Sequence, residues 1–140
     1  MRPDPEPLLP TVLVVDDVLD VRLSLRDLLG LRDFRVLDTW NAMAALDLIQ
    51  RERVDVVLTD LYMPGEMDGV GLCSRIANLP VPRPAVIAMS GAPHLAYGSS
   101  LQAARSMGAD ATLTKPFSAE EVVTTIRRLI GGGPALRGKT

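Results

Sequence analysis

The sequence has little cysteine, few aromatic residues and no long apolar run. Cys73 is the only cysteine, which excludes an internal disulfide and is typical of a reducing compartment. Only 4% of the residues are aromatic while 47% are hydrophobic, so we expect an aliphatic core. The unbroken apolar runs, such as Ala85 to Met89, reach five residues and are too short to span a bilayer.

The charge balance and the amino-terminal segment exclude further classes of protein. Fifteen Lys and Arg against seventeen Asp and Glu give a net charge of −2, which argues against direct binding of nucleic acid or of a membrane surface. The first ten residues carry four prolines and acids where a signal peptide needs an apolar region. We therefore expect a cytoplasmic protein with one domain over residues 11–130, flanked by flexible tails at 1–10 and 131–140.

Short strands and amphipathic helices alternate along the chain. Apolar stripes at helical spacing predict five helices, with Asn41 as an N-cap, a third helix starting near residues 68–70, a fourth ending at Gly108, and Ser118 with Glu121 as a capping box. This alternation is typical of a parallel sheet, and five units are too few for an eightfold barrel. We predict an α/β fold with an open doubly wound sheet in the order 2-1-3-4-5. The five predicted strands are 11–15, 34–38, a buried strand from residue 54 to residue 60, 85–89 and 111–114.

Polar side chains follow four of these strands at their carboxyl ends. Asp16 and Asp17 follow the first strand and Asp60 ends the third. Ser90 follows the fourth strand and Lys115 follows the fifth. In the predicted order the first and third strands are neighbours, so three carboxylates converge at the sheet edge where ligands bind. Two charges about 4 Å apart repel by roughly 4 kcal/mol at an effective dielectric of about 20, so this cluster needs a proton, hydrogen-bond donors or a cation.

Oxygen ligands of this kind favour Mg²⁺, or the similar Mn²⁺, over softer metals. Asp17 and Asp60 could bind the ion directly together with the backbone carbonyl near Tyr62, while Asp16 could hold a metal-bound water. A carboxylate is also a nucleophile toward phosphorus and forms an acyl phosphate. The ammonium of Lys115 suits a phosphoryl oxygen. The Ser90 hydroxyl can donate to another, so the pattern indicates phosphoryl transfer.

Five features follow one another along the chain: VVDD, DLYMP, MDG, the serine after the fourth strand, and KPF. In these features, and in their order, the chain resembles the receiver domain of two-component response regulators over about residues 11–130. The resemblance implies that Asp60 is the phosphoacceptor and that Asp16 and Asp17 are the acidic pair for the metal ion. It implies that Ser90 is the switch hydroxyl. It also implies that Lys115 contacts the phosphoryl group and precedes a cis proline.

The resemblance implies a signalling switch rather than an enzyme. A histidine kinase or a histidine phosphotransfer protein would donate the phosphoryl group, and the signal would pass by contact to an unknown downstream protein. The face of the fourth helix, fifth strand and last helix would change its partner preference and is the candidate homodimer surface.

Two positions depart from the family pattern. Gly65 and Glu66 both stand between the Met-Pro and Met-Asp-Gly elements, where the family usually has one residue. The family usually carries an aromatic residue three positions before the lysine, and here that position is Thr112. The first departure lengthens the loop beside the phosphorylation site, and the second removes the usual aromatic coupling from Ser90 to the outer face.

Simpler interpretations exist for each residue and for the whole pattern. Taken alone, Asp17 could be an N-cap, Asp60 a turn residue, Lys115 a solvated charge and Ser90 a turn hydroxyl. A degenerate receiver could act only as a docking module. A Mg²⁺-dependent aspartyl phosphatase usually has a second Asp where this chain has Tyr62. A flavin-binding module would need a loop rich in N–H donors after the first strand, where this chain has two acids.

Overall fold

The computed structural model describes residues 9–63, 65–91, 105–106 and 108–131. Its sheet has five parallel strands in the order β2-β1-β3-β4-β5, which confirms the predicted fold class. The strands are β1 Thr11–Val15, β2 Arg35–Thr39, β3 Val56–Asp60, β4 Ala85–Ser90 and β5 Ala111–Thr114. The helices within the described residues are α1 Leu19–Gly30, α2 Ala42–Arg51, α3 Gly69–Ala77 and α4 Ala119–Ile130.

The sheet separates two apolar layers, and β1 contributes side chains to both. Val12 and Val14 lie in the layer that contains α1 and α4, while Leu13 and Val15 lie in the layer that contains α2 and α3. Because both faces of the sheet are covered, the strands are apolar without strict alternation. This arrangement leaves the carboxyl ends of the strands, rather than a face of the sheet, for polar groups.

The helix starts follow the predicted capping residues. Asn41 accepts a hydrogen bond from the Ala44 N–H, and Ser118 with Glu121 forms the complete capping box of α4. The N-cap of α1 is Val18, without a side-chain hydrogen bond, so the alternative interpretation of Asp17 as that N-cap is wrong.

Some predicted boundaries moved or fall outside the described residues. The second strand starts one residue later than predicted, because the Phe34 N–H donates to the Leu29 carbonyl of α1 at 3.3 Å rather than to β1. The predicted fourth helix lies outside the described residues except at Arg105 and Ser106, which are helical, and Gly108 after them. The surface that this helix would share with β5 and α4 is therefore described only in part. The predicted tails also lie outside, apart from residues 9, 10 and 131.

Within the described part of the chain, no helix combines the length and the apolar character that a bilayer crossing requires.

Candidate functional site: an acidic cluster at the carboxyl edge of the sheet

Three aspartates meet where β1 and β3 end. Val15 is paired with Thr59, so the residues that follow them, Asp16 and Asp60, come level at the same edge. One carboxylate oxygen from each of Asp16, Asp17 and Asp60 lies within 4.8 Å of the others. The structure therefore brings together residues that are separated by more than forty positions in the sequence.

Lys115 supplies a cation to this cluster. Its Nζ atom lies 3.0 Å from Oδ2 of Asp16 and 3.5 Å from Oδ1 of Asp60. The Lys115 N–H donates to the Ser90 carbonyl at 2.8 Å, which holds the backbone of Lys115 beside the end of β4. The peptide bond from Lys115 to Pro116 is cis, as the resemblance implied. One ammonium faces three carboxylates, so the cluster retains an excess of negative charge when all three are ionised.

The electrostatics of Asp60 follow from its burial. Only 8% of Asp60 is exposed to solvent. Burial raises the pKa of this carboxyl, Lys115 opposes the rise, and the neighbouring Asp16 carboxylate adds to it. The ionised form of Asp60 is thus held in an environment that disfavours it, and a cation or a proton would relieve that cost.

Asp16 is buried, and each oxygen of its carboxylate has one partner within the protein. Its Oδ1 atom accepts a hydrogen bond from the Val18 N–H at 2.9 Å, and its Oδ2 atom faces Lys115. Asp17 is exposed and points a carboxylate oxygen toward the same cluster. The two consecutive acids therefore differ: one is anchored inside the protein and the other faces solvent.

The other predicted site residues differ in their burial and in their position relative to this edge of the sheet. Ser90 is buried at the end of β4, directly after Met89, which is paired with Asp60. Tyr62 lies two residues beyond Asp60, and its side chain is exposed. The role of its backbone carbonyl as a metal ligand stays a prediction. Thr112 is half-buried on β5 and paired with Ala88, away from the strand end.

Sequence reasoning missed the role of Gly69. A Cβ atom built on Gly69 would lie 1.9 Å from the Asp60 carbonyl oxygen and 2.6 Å from Cα of Leu61. The Gly69 N–H also donates to the Leu61 carbonyl at 3.1 Å. The first residue of α3 therefore rests directly on the backbone of the candidate phosphoacceptor. The MDG motif contained this signal, since a glycine at a helix start permits such a close approach.

The loop after β3 borders the same surface depression as Trp40. Gly65 has φ +122°, a conformation that glycine adopts readily, and it lies with Glu66 beside the Trp40 and Met43 side chains. Together they border a depression of about 390 Å³. Trp40 is 62% exposed there, a position that the sequence left open. The tryptophan thus stands next to the loop that follows Asp60.

The donor set fits a hard divalent cation. All three groups offer carboxylate oxygens, the ligands that Mg²⁺ and Mn²⁺ take, and no His or Cys belongs to the cluster among the described residues. Magnesium commonly uses one or two protein carboxylates together with water and phosphate oxygens. An open cluster with one exposed member, Asp17, leaves room for those additional ligands.

Comparison with known proteins agrees with this geometry. The chain is 29% identical over 121 residues to sporulation initiation phosphotransferase F of Bacillus subtilis, covering 85% of this chain and 92% of that protein. It is 34% identical over 119 residues to response regulator MprA of Mycobacterium sp. strain KMS. That match covers 85% of this chain but only 50% of the relative.

A solved structure is similar as well. The receiver domain protein of Clostridium thermocellum superposes with a TM-score of 0.81 at 26% identity, covering 91% of this chain and 99% of that one. The family model of the response regulator receiver domain matches residues 12–127. The chain therefore belongs to the response regulator receiver domain family.

Proposed function

We propose that this domain is a phosphorylation-dependent switch that accepts a phosphoryl group on Asp60 in the presence of Mg²⁺ or Mn²⁺. The observation that carries the proposal is the contact of one lysine, Lys115, with two of three converging carboxylates. The donor would be a phosphohistidine of a histidine kinase or a histidine phosphotransfer protein, as in two-component signalling.

The chemistry is a single transfer. A carboxylate oxygen of Asp60 attacks the phosphorus atom while the phosphorus–nitrogen bond to the donor imidazole breaks, and the electron pair of that bond stays on the nitrogen. The product is an acyl phosphate. A strand-end carboxylate held by the close contact of α3 on its backbone is positioned for this attack, and positioning supplies much of the barrier reduction in phosphoryl transfer.

The side chains around Asp60 have separate tasks. Asp16, Asp17 and Asp60, with the Tyr62 carbonyl, would hold the metal ion, which supplies charge neutralisation for the phosphoryl oxygens. After transfer, Lys115 would bind one phosphoryl oxygen and the Ser90 hydroxyl would donate to another.

The output of the switch is a change in protein contacts rather than catalysis of a substrate reaction. Ser90 lies at the end of β4, and β4 is paired with β5, so a rearrangement at Ser90 can pass to Thr112 and the outer face of β5. Threonine lacks the ring that the family usually places there, so the coupling would depend on smaller movements. The downstream partner and the cytoplasmic location remain predictions.

Mass spectrometry of the intact chain tests the proposal. The protein is incubated with Mg²⁺ and acetyl phosphate, and the expected result is the mass increase of one phosphoryl group, removed by hydroxylamine. Asp60→Asn should not be labelled. Asp68→Asn is the matched control, because Asp68 is the N-cap of α3 and asparagine is an equally good cap.

The outcomes separate the proposal from its alternatives. Equal labelling of Asp60→Asn and the wild-type chain would contradict the assignment of the phosphoacceptor. No labelling with either small donors or a phosphorylated histidine phosphotransfer protein would favour a docking module. Continuous release of phosphate from phosphomonoesters would favour the phosphatase.

A further inference from the structure

Arg22 on α1 joins two parts of the chain behind the acidic cluster. Its Nη1 atom donates to the Asp16 carbonyl at 2.8 Å, and its Nε atom lies 3.2 Å from Oδ2 of Asp38 on the edge strand β2. Arg26 holds the other oxygen of Asp38 at 3.0 Å. The side chains of Arg22 and Asp38 are only 12% and 18% exposed, so this pair is more than a solvated surface contact.

The backbone of Asp16 is consequently fixed on both sides. Its N–H donates to the Thr39 carbonyl at 3.2 Å, and its carbonyl accepts from Arg22. Its carboxylate caps the Val18 N–H within the same turn. Because Asp17 is the next residue, the orientation of that peptide group also determines where the Asp17 carboxylate is presented.

We infer that Arg22, anchored by Asp38, is a positioning residue for the cation site, because it fixes the turn that presents Asp16 and Asp17. The inference rests on the proposed function, since it assumes that these two acids bind Mg²⁺. Arg22 donates to a backbone oxygen and not to a ligand oxygen, so it leaves the carboxylates free for the ion. Mutation of a residue that orients metal ligands without binding the metal typically lowers metal affinity about 10- to 100-fold.

The direction of the change in Mg²⁺ affinity distinguishes a positioning role of Arg22 from a purely electrostatic one. Removal of a positive charge near a cation site strengthens cation binding when charge alone acts. Loss of the Arg22 hydrogen bonds should instead weaken binding, because the turn is then free to move its two carboxylates. Arg22→Gln therefore gives opposite results under the two explanations.

The experiment measures Mg²⁺ affinity by calorimetry on the full chain, without any phosphodonor, and stability by urea unfolding. We expect Arg22→Gln to bind Mg²⁺ about 10-fold more weakly than the wild-type chain. Arg83→Gln is the matched control, because Arg83 also joins a backbone carbonyl at 2.8 Å and a carboxylate at 3.3 Å, in Pro84 and Asp110. That pair lies at the opposite end of the strands, so its loss should leave Mg²⁺ affinity unchanged.

A second variant covers the case in which Arg22→Gln fails to fold. Arg22→Lys keeps the charge but lacks the planar fork that reaches two acceptors, so we expect a smaller loss of affinity in the same direction. Unchanged or tighter Mg²⁺ binding in the folded Arg22 variants would overturn the inference, as would an equal loss in Arg83→Gln. A wild-type chain that binds no Mg²⁺ would overturn the metal site itself, a result distinct from these.

Discussion

Replacement of Gly69 by alanine is the sharpest test of how the candidate phosphoacceptor is held. The new Cβ atom would lie 1.9 Å from the Asp60 carbonyl oxygen and 2.6 Å from Cα of Leu61, whereas real Cβ atoms essentially never approach closer than 3.0 Å. Both neighbours are backbone atoms, so no rotamer change can relieve the overlap. Either α3 moves away from β3, or the end of β3 shifts with Asp60.

The magnitude follows from these distances. Forcing extra atoms into a packed site costs about 1–3 kcal/mol, and a clash with backbone belongs at the upper end of that range. The higher helix propensity of alanine offsets up to about 1 kcal/mol of this cost. We expect Gly69→Ala to lower the free energy of unfolding by about 2 kcal/mol, or to lower the Tm by about 8 °C. Labelling of Asp60 by acetyl phosphate should also slow, because the carboxylate moves with its backbone.

Two other glycines provide matched controls in urea or thermal unfolding. Gly30, at the end of α1, has open space around its Cβ position, so Gly30→Ala should leave stability unchanged or raise it by up to about 1 kcal/mol. A Cβ atom on Gly71 would lie 2.9 Å from the Met67 side chain, which can swing away, and at an ordinary contact distance of 3.5 Å from Oδ1 of Asp68, so Gly71→Ala should fall between the two. If Gly69→Ala unfolds at the same urea concentration as Gly30→Ala, the reasoning about the contact of α3 with Asp60 is refuted.

Three further predictions concern charge and burial. Burial raises the pKa of Asp60, so the contribution of this carboxyl to stability falls as the pH rises above its ordinary pKa of 3.8. Asp60→Asn should therefore be more stable than wild type at pH 7 without Mg²⁺ and equally stable below pH 3.8. Urea titrations at both pH values test this, and a constant difference between the two proteins would contradict it. Lys115→Gln should lower the free energy of unfolding at pH 7 by about 2 kcal/mol, since it removes a charged donor shared by two carboxylates. Added Mg²⁺ should restore part of this loss when unfolding is measured by urea titration. Burial raises the pKa of the Cys73 thiol to about 12, so Ellman's reagent at pH 8 should react only with urea-unfolded protein. Rapid reaction of the native chain would contradict this prediction and would show that α3 opens.

The sequence predicted the sheet because its signals are local. Val56 to Leu58 are apolar, and Thr59 and Asp60 end that run at the strand end, so both the strand and its polar edge could be read directly. The strand order then brought Asp16 and Asp60 level without any knowledge of side-chain geometry. Capping residues such as Asn41 worked for the same reason, since a cap acts within one helical turn.

Other features could not be read from the sequence because they depend on how separate elements pack together. Arg22 looks like any arginine on an exposed helix face, and only the fold brings the Asp16 carbonyl and Asp38 within its reach. Cys73 is fully buried in the apolar layer that contains α2 and α3. Phe34 has the apolar character of a strand residue, yet it fills the core just before β2 begins.

Gly69 and Arg22 each restrain the backbone of one aspartate in the acidic cluster. Like charges at Asp16 and Asp60 would separate if their backbones were free, and Lys115 alone cannot neutralise three carboxylates. The contact of Gly69 constrains the backbone of Asp60, and the Arg22 hydrogen bond constrains the backbone of Asp16, while neither occupies a carboxylate oxygen. A frame of this kind stores repulsion that a divalent cation relieves. Loosening either constraint should therefore reduce the dependence of stability on Mg²⁺, even where the acids themselves are intact.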